Sequence, residues 1–366
     1  MIVIKIGGSV LRSGRDYVIA ARRIREDFIE RGERVIVVVS AMKSVTDLLI
    51  RAANGDVVSA EKVLRLYENA AMETGLFSTG LESALKDLRS ALAGVNVNNS
   101  AYIKEHVVSF GETLSKELMV GALIAEGLRA RGFDARKVVV AEASGSVPRI
   151  NYRLTARKAL KLRDAALSGN IPVIEGFVAS LPGGQTVTLG RGGSDYTATA
   201  LAVLTGAEEV YFVTSVPGIM SADPALVKDA RIVPSLDHDE ASEASSYGAK
   251  RIHPRAFEAL KDTEVVALVG NWSLFGTVIT PGPEPCTGPK LVASSFVDGK
   301  GRAALVGRGV CRHDFIASLA KRLRDFDGEV LSVRTVCPRP AVVLDTVKEG
   351  LGELVVWLHN IFVTGE

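Results

Sequence analysis

Apolar runs of strand length alternate with stretches of helical periodicity from the first residues onward. Ile2–Ile6 reads as a strand. Asp16–Arg31 carries Val18, Ile24 and Phe28 at helical spacing and ends at Gly32, and Arg34–Ser40 is the next strand. Helices are expected at Val45–Asn54, Ala60–Thr74, Leu81–Leu92 and Thr113–Arg131, the last closed by Gly132. Val138–Val140, Ile171–Glu175 and Glu209–Val213 read as strands. Tyr196–Leu204 is small and apolar on every face, which predicts a buried helix with Gly206 just past its end. Alternation of this kind predicts an α/β fold with a mostly parallel central sheet and helices on both faces.

Thr280–Pro289 packs four prolines among glycines and reads as a linker. We expect a first domain over 1–282 and a second over 290–366. The second has its own pattern: a strand at Ala303–Val306, a helix at His313–Phe326, strands at Glu329–Val336 and Ala341–Val347, and a helix at Gly350–Ile361. That order is most of a β-α-β-β-α unit, a small α+β module.

Composition narrows the function. The 366 residues are 47% hydrophobic and 23% charged, enough apolar content for a sizeable core. The formal net charge of +2 is too small for a general nucleic-acid or membrane field. An anionic ligand must then be held by a few placed cations. Cys286, Cys311 and Cys337 are odd in number and widely spaced, so reduced thiols are expected rather than a disulfide framework or a metal site. Met1 leads straight into a strand with no cleavage pattern, and no apolar run exceeds strand length, which points to a cytoplasmic chain without a membrane partner.

Six segments carry candidate chemistry, five of them where strands end or helices begin. Lys5-Ile6-Gly7-Gly8-Ser9 ends the first strand, where ligands of open α/β sheets bind. Two glycines there let backbone approach a phosphate that a lysine neutralises; an ordinary glycine turn fits the same letters. Thr188-Leu189-Gly190-Arg191-Gly192-Gly193-Ser194-Asp195 opens the buried helix, with Ser194 as the expected N-cap. Arg191 offers a planar fork for a carboxylate or phosphate, and a bare capping loop needs one glycine rather than three. Ser109-Phe110-Gly111-Glu112 is expected just before the Thr113 helix, where Glu112 either binds a ligand or complements the dipole. Ser40-Ala41-Met42-Lys43-Ser44-Val45-Thr46 follows a strand and carries hydroxyls that either bind or cap. Thr214–Ile219 with Ser221–Pro224, and Tyr247–Pro254 with Lys250 and His253, complete the set.

In this order, KIGGS, VVSAMKSVT, SFGE, EGF, TLGRGGSDYTA, VPGIMSADP and YGAKRIHP resemble the amino acid kinase family, and its aspartate kinases in particular. The likeness spreads over Met1 to about Leu260, and GRGGSD and GAK-x-x-HP are its specific pieces. It implies a three-layer α/β sandwich with ATP and an amino acid meeting at the strand ends. By that resemblance Lys5, Gly7 and Gly8 face the transferred phosphate. Ser40, Thr46, Glu112, Phe177, Arg191 and Ser194 match aspartate-binding positions. Asp195 organises the transfer site, and Thr214, Met220 and Lys250 surround the nucleotide. The tail from Ala303 is similar to a single ACT (ferredoxin-like) module, which implies a homodimer or higher homo-oligomer; aspartate kinases usually carry two. The chain departs from the family at Ser44, in place of a glycine, and at Thr113, in place of an arginine. On the nucleotide side, Ser215 and Ala225 replace an aspartate and an arginine.

The resemblance implies phosphorylation of the L-aspartate side chain to 4-phospho-L-aspartate with ATP and Mg²⁺. This is the first step toward lysine, threonine and methionine. A β-carboxylate is ionised at neutral pH and needs no general base, so alignment and charge neutralisation suffice. A kinase for another small amino acid such as homoserine, and a non-catalytic amino acid sensor, are the alternatives.

Overall fold

The computed structural model describes residues 1–95, 100–145, 147–249, 252–283, 285 and 288–365. The chain divides into two compact units, Met1–Ser215 and Val216–Glu366.

The first unit runs β1 (Ile2–Ile6), α1 (Gly14–Ile24), β2 (Val35–Val39), α2 (Val45–Ala52), α3 (Val57–Thr74), α4 (Thr79–Val95) and α5 (Ala101–Ala125). It continues with β3 (Ala130–Phe133), α6 (Ala135–Val138), β4 (Ala141–Glu142), β5 (Arg149–Ile150), α7 (Tyr152–Leu167) and β6 (Ile171–Glu175). It ends with β7 (Val178–Ser180), β8 (Thr186–Thr188), α8 (Gly193–Thr205) and β9 (Glu209–Val213). Strands β9, β1, β2, β6 and β3 lie side by side, every pair parallel. All five residues of β2 and of β6 are buried, so the sheet is covered on both faces. Helix α5 packs on β2, β3 and β6, while α7 and α8 pair with each other and pack on β2. Because the strands are parallel, their carboxyl ends share one rim.

The second unit runs β10 (Ser235–Asp237), α9 (His238–Ser246), α10 (Pro254–Leu260), β11 (Val266–Asn271) and β12 (Leu274–Thr280). It closes with β13 (Leu291–Val297), β14 (Lys300–Val306), α11 (His313–Arg322), β15 (Val330–Thr335), β16 (Ala341–Thr346) and α12 (Leu351–His359). Strand β12 pairs with β10 in parallel and with β11 antiparallel. The last four strands form a separate antiparallel sheet in the order β13-β14-β16-β15. Ala303, Leu305, Val342 and Leu344 alternate onto one face of it and meet Leu354, Val355 and Leu358 of α12.

Several expectations are corrected. Ser109–Glu112 is not a loop before a helix: it lies inside α5, which starts twelve residues before Thr113 and is capped by Ser100. The polar letters misled because every residue from Val107 to Lys116 is buried, so the helix shows no apolar stripe. Gly111 serves close approach there: a Cβ on it would stand 2.8 Å from the Ala41 Cβ. The helix ends at Ala125, and Gly132 sits within β3 instead of closing it. Val138 ends the single turn α6 rather than beginning a strand. The thiols of Cys311 and Cys337 form a disulfide, against the expectation of free thiols. The antiparallel pairing of β14 with β16 brings the turns after β14 and before β16 together, which spacing along the chain does not reveal. Cys286 lies outside the described residues. Among the described residues no helix is long and apolar enough to cross a membrane.

Candidate active site

At the rim of the first unit a cleft of about 440 Å³ collects residues from four separate loops and from α5. Its floor is an ion pair. Lys5, next to last in β1, places Nζ 2.7 Å from Oδ1 of Asp195, and the two side chains are 11% and 10% exposed. Asp195 is in the first turn of α8, where a carboxylate complements the helix dipole. Beyond Lys5 the Gly7 N–H donates to the Val213 carbonyl at 3.1 Å. A Cβ on Gly8 would stand 2.6 Å from the Ala41 carbonyl oxygen, so the loops after β1 and β2 can touch only because Gly8 has none.

The loop after β2 forms one wall. The Ser40 N–H donates to the Ile6 carbonyl, and the Met42 N–H to the Tyr67 hydroxyl at 3.2 Å. Ser44 precedes α2 with φ of 68°, a left-handed conformation that suits the glycine usual there. Ser40 and Thr46 both line the cleft.

Glu112 projects from the middle of α5 and is 3% exposed. Its Oε1 accepts the Ala41 N–H at 3.3 Å. Its Oε2 is buried without a hydrogen-bond partner among the described residues. Burial pushes this carboxyl up to about 8, only partly opposed by the backbone hydrogen bond from Ala41. A buried carboxylate with one unmet oxygen, facing a cleft, is built to receive a cation.

The opposite wall is the loop before α8. The helix N-cap is Gly192, not Ser194, because Gly190 and Gly192 both take left-handed conformations and start the helix two residues early. Ser194 is the second helical residue and lines the cleft with Phe177 and Arg191. Arg191 is exposed at the mouth. Phe177 also has positive φ, 68°, held by its N–H bond to Thr197 Oγ1 and by the Leu189 N–H on its carbonyl.

The cleft therefore unites Lys5, Gly8, Ser40, Thr46, Glu112, Phe177, Arg191, Ser194 and Asp195. Gly7 adjoins it through Lys5, whose Nζ would lie 3.1 Å from an added Cβ. Thr214 directly follows β9, one of the strands flanking β1. Met220 belongs to the second unit, where it lines a different cleft with Asp223, Ala225 and Gly248. Lys250 lies outside the described residues. Ser9, Lys43 and Asp47 also line the cleft, beyond the residues to which the resemblance gives a role. Lys43 and Asp47 sit within and just beyond a noted motif, but as exposed charges they gave no sign of it.

The model described as "Amino acid kinase family" matches residues 1–271. Bifunctional aspartokinase/homoserine dehydrogenase 2 of Escherichia coli is 33% identical over 274 residues, covering 71% of this chain and 33% of that protein. Aspartokinase of Chlamydia pneumoniae is 31% identical over 258 residues, covering 69% of this chain and 56% of that protein. Aspartokinase 2, chloroplastic, of Arabidopsis thaliana is 29% identical over 298 residues, covering 76% and 54%. The chain thus spans between a third and somewhat over half of these curated relatives. The crystal structure of E. coli aspartokinase III in complex with aspartate and ADP superposes with a TM-score of 0.84 at 20% identity, covering 98% of this chain and 99% of that one. That likeness establishes the fold.

Proposed function

Because the chain belongs to the amino acid kinase family, we propose that it transfers the γ-phosphoryl group of ATP to the side-chain carboxylate of L-aspartate, giving 4-phospho-L-aspartate. The observation that carries this reading is the union in one cleft of the Lys5–Asp195 pair, the unmet oxygen of Glu112 and the Arg191 guanidinium. An amino acid has an ammonium for Glu112 and a carboxylate for Arg191, which leaves the side chain to face Lys5.

The attacking carboxylate is ionised at neutral pH, so the residues need only align it and neutralise charge. Lys5, with Gly7 and Gly8 beside it, stabilises the negative charge on the transferred group. Asp195 holds the Lys5 ammonium in place. Ser40, Thr46, Phe177 and Ser194 complete the pocket for the amino acid, and Thr214, Met220 and Lys250 take the nucleotide. A lysine at the floor of an open cleft, with Gly8 and Ser9 beside it, suits a phosphate. Among the described residues no group of three or more His, Cys, Asp or Glu side chains is set to hold a metal. Mg²⁺ is then best supplied on the phosphates of the nucleotide, where it neutralises charge.

Asp195 is already committed to Lys5, which disfavours it as a base for a hydroxyl acceptor such as homoserine. Residues 1–282 serve as the catalytic domain in this reading, and 290–366 as an ACT-like module that pairs copies into a homodimer or higher homo-oligomer. The enzyme works in the cytoplasm, where ATP is made available, and its product feeds lysine, threonine and methionine synthesis. The test is trapping with hydroxylamine in the presence of Mg-ATP. An acyl phosphate yields a hydroxamate from aspartate. ATP consumption with homoserine, or no nucleotide binding at all, overturns the assignment in favour of a hydroxyl kinase or a sensor.

A further inference from the structure

The second unit contains a cleft of about 660 Å³ that shares no residue with the one around Lys5. Helix α9 forms one side of it. That helix begins with a capping box in which Asp237 and Glu240 exchange backbone hydrogen bonds. Each carboxylate of its first turn also has a cation. Arg308, in the turn after β14, bonds Asp237 at 2.6 Å and Asp239 at 2.7 Å, and Lys290 meets Glu240 at 2.8 Å.

One turn further along α9, Glu243 breaks this pattern. It is 4% exposed. Its Oε1 takes a 3.3 Å bond from Arg339 Nη1, whose side chain is 62% exposed. Its Oε2 is buried with no hydrogen-bond partner among the described residues. Burial pushes this carboxyl above its ordinary range, and Arg339 offsets that only in part. A buried acceptor left unmet is costly, and the cleft that Glu243 lines offers a place from which a donor can reach it.

The remaining walls define that donor. Asp239, Glu258, Asp262 and Glu264 add carboxylates, against Lys261, Arg308 and Arg339. The Arg308 charge is already matched by Asp237 and Asp239, so acid predominates in the cleft. The volume falls in the range of small-molecule pockets and is far larger than a bare ion needs. No set of three or more metal-ligating side chains occurs among the described residues.

We propose that this cleft binds a small organic ammonium ion, whose N–H groups satisfy Glu243 Oε2 and whose charge is met by the acidic walls. The lining residues are not those of the cleft around Lys5, and the proposal stands whether or not the acceptor is aspartate.

Isothermal titration calorimetry of the full chain with 1,4-diaminobutane tests it, with tetramethylammonium and sodium chloride at matched ionic strength as controls. Saturable 1:1 binding of the diamine is expected. Tetramethylammonium, which cannot donate a hydrogen bond, should bind at least about tenfold more weakly, and so should the diamine to Glu243→Gln. Glu243→Gln should keep the wild-type rate of hydroxamate formation. Should that variant fail to fold, the exposed double variant Glu258→Gln/Glu264→Gln carries the test and should weaken diamine binding severalfold. Undiminished binding in the variants, equal heats from tetramethylammonium, or displacement of the diamine by Mg²⁺ in a Glu243-dependent manner overturns the proposal.

Discussion

The first unit holds two lysine–carboxylate pairs at nearly equal distances, Lys5–Asp195 at 2.7 Å and Lys116–Glu175 at 2.8 Å. They differ in what surrounds them. Glu175 is 1% exposed and fully satisfied, with Lys116 on Oε1 and the Ala135 N–H on Oε2 at 2.8 Å. It ties α5 and α6 to the end of β6. The Lys5–Asp195 pair forms the floor of an open cleft, and Glu112, which lines the same cleft, keeps one oxygen unmet among the described residues. Burial and pairing alone thus do not mark a functional charge. An opening toward solvent and an unsatisfied neighbour do.

The largest expected effect is on the closed pair. Glu175→Ala should lower stability by about 3 kcal/mol, because it leaves the buried Lys116 ammonium with only the longer 3.3 Å pairing to Glu117 and strips the buried Ala135 N–H of its acceptor. Urea denaturation measures the loss, and the folded fraction should keep its turnover. The open pair should behave the opposite way. Lys5→Ala should cut turnover by about 10²–10³-fold. Its stability cost should stay below about 2 kcal/mol, since water entering the cleft resolvates Asp195. Equal stability losses in the two variants would break the distinction.

Glu112→Gln sharpens it further. The KM for the amino acid should rise about tenfold to a hundredfold with little loss of stability. Since burial pushes the Glu112 carboxyl up to about 8, the folded chain holds this proton more tightly than the unfolded chain does. Its stabilising contribution is full at acid pH and is lost as pH rises from the ordinary carboxylate range through about 8. The ammonium of a substrate needs the ionised form. The wild-type KM should therefore fall as pH rises toward 8, by up to about tenfold per unit, and the Gln variant should lose this slope. The smallest effect is at Ser44, where Ser44→Gly should stabilise by about 1 kcal/mol by removing a left-handed serine.

Much of this was legible in the sequence where backbone and chemistry speak together. Lys5 with its two glycines, and Arg191 within a glycine loop ahead of Asp195, lie at strand ends and helix starts whatever the packing. Glu112 was legible as a residue and illegible as a place, because a helix buried on all sides loses its periodicity. Helix α7 leaves no clear pattern in the sequence because its buried face is Thr155, Ala159, Leu162 and Ala166, too small and too polar to stand out. Strands β11, β12 and β13 are hidden for a related reason: their burial is partial and irregular. The disulfide depends on register between distant strands, which no local signal encodes.

The Cys311–Cys337 bridge joins residues 26 apart and so closes a covalent ring that contains α11 and β15. A protease that nicks the backbone once anywhere inside that ring will not release a fragment. The two pieces will migrate as one under oxidising electrophoresis and separate only after a thiol reductant is added.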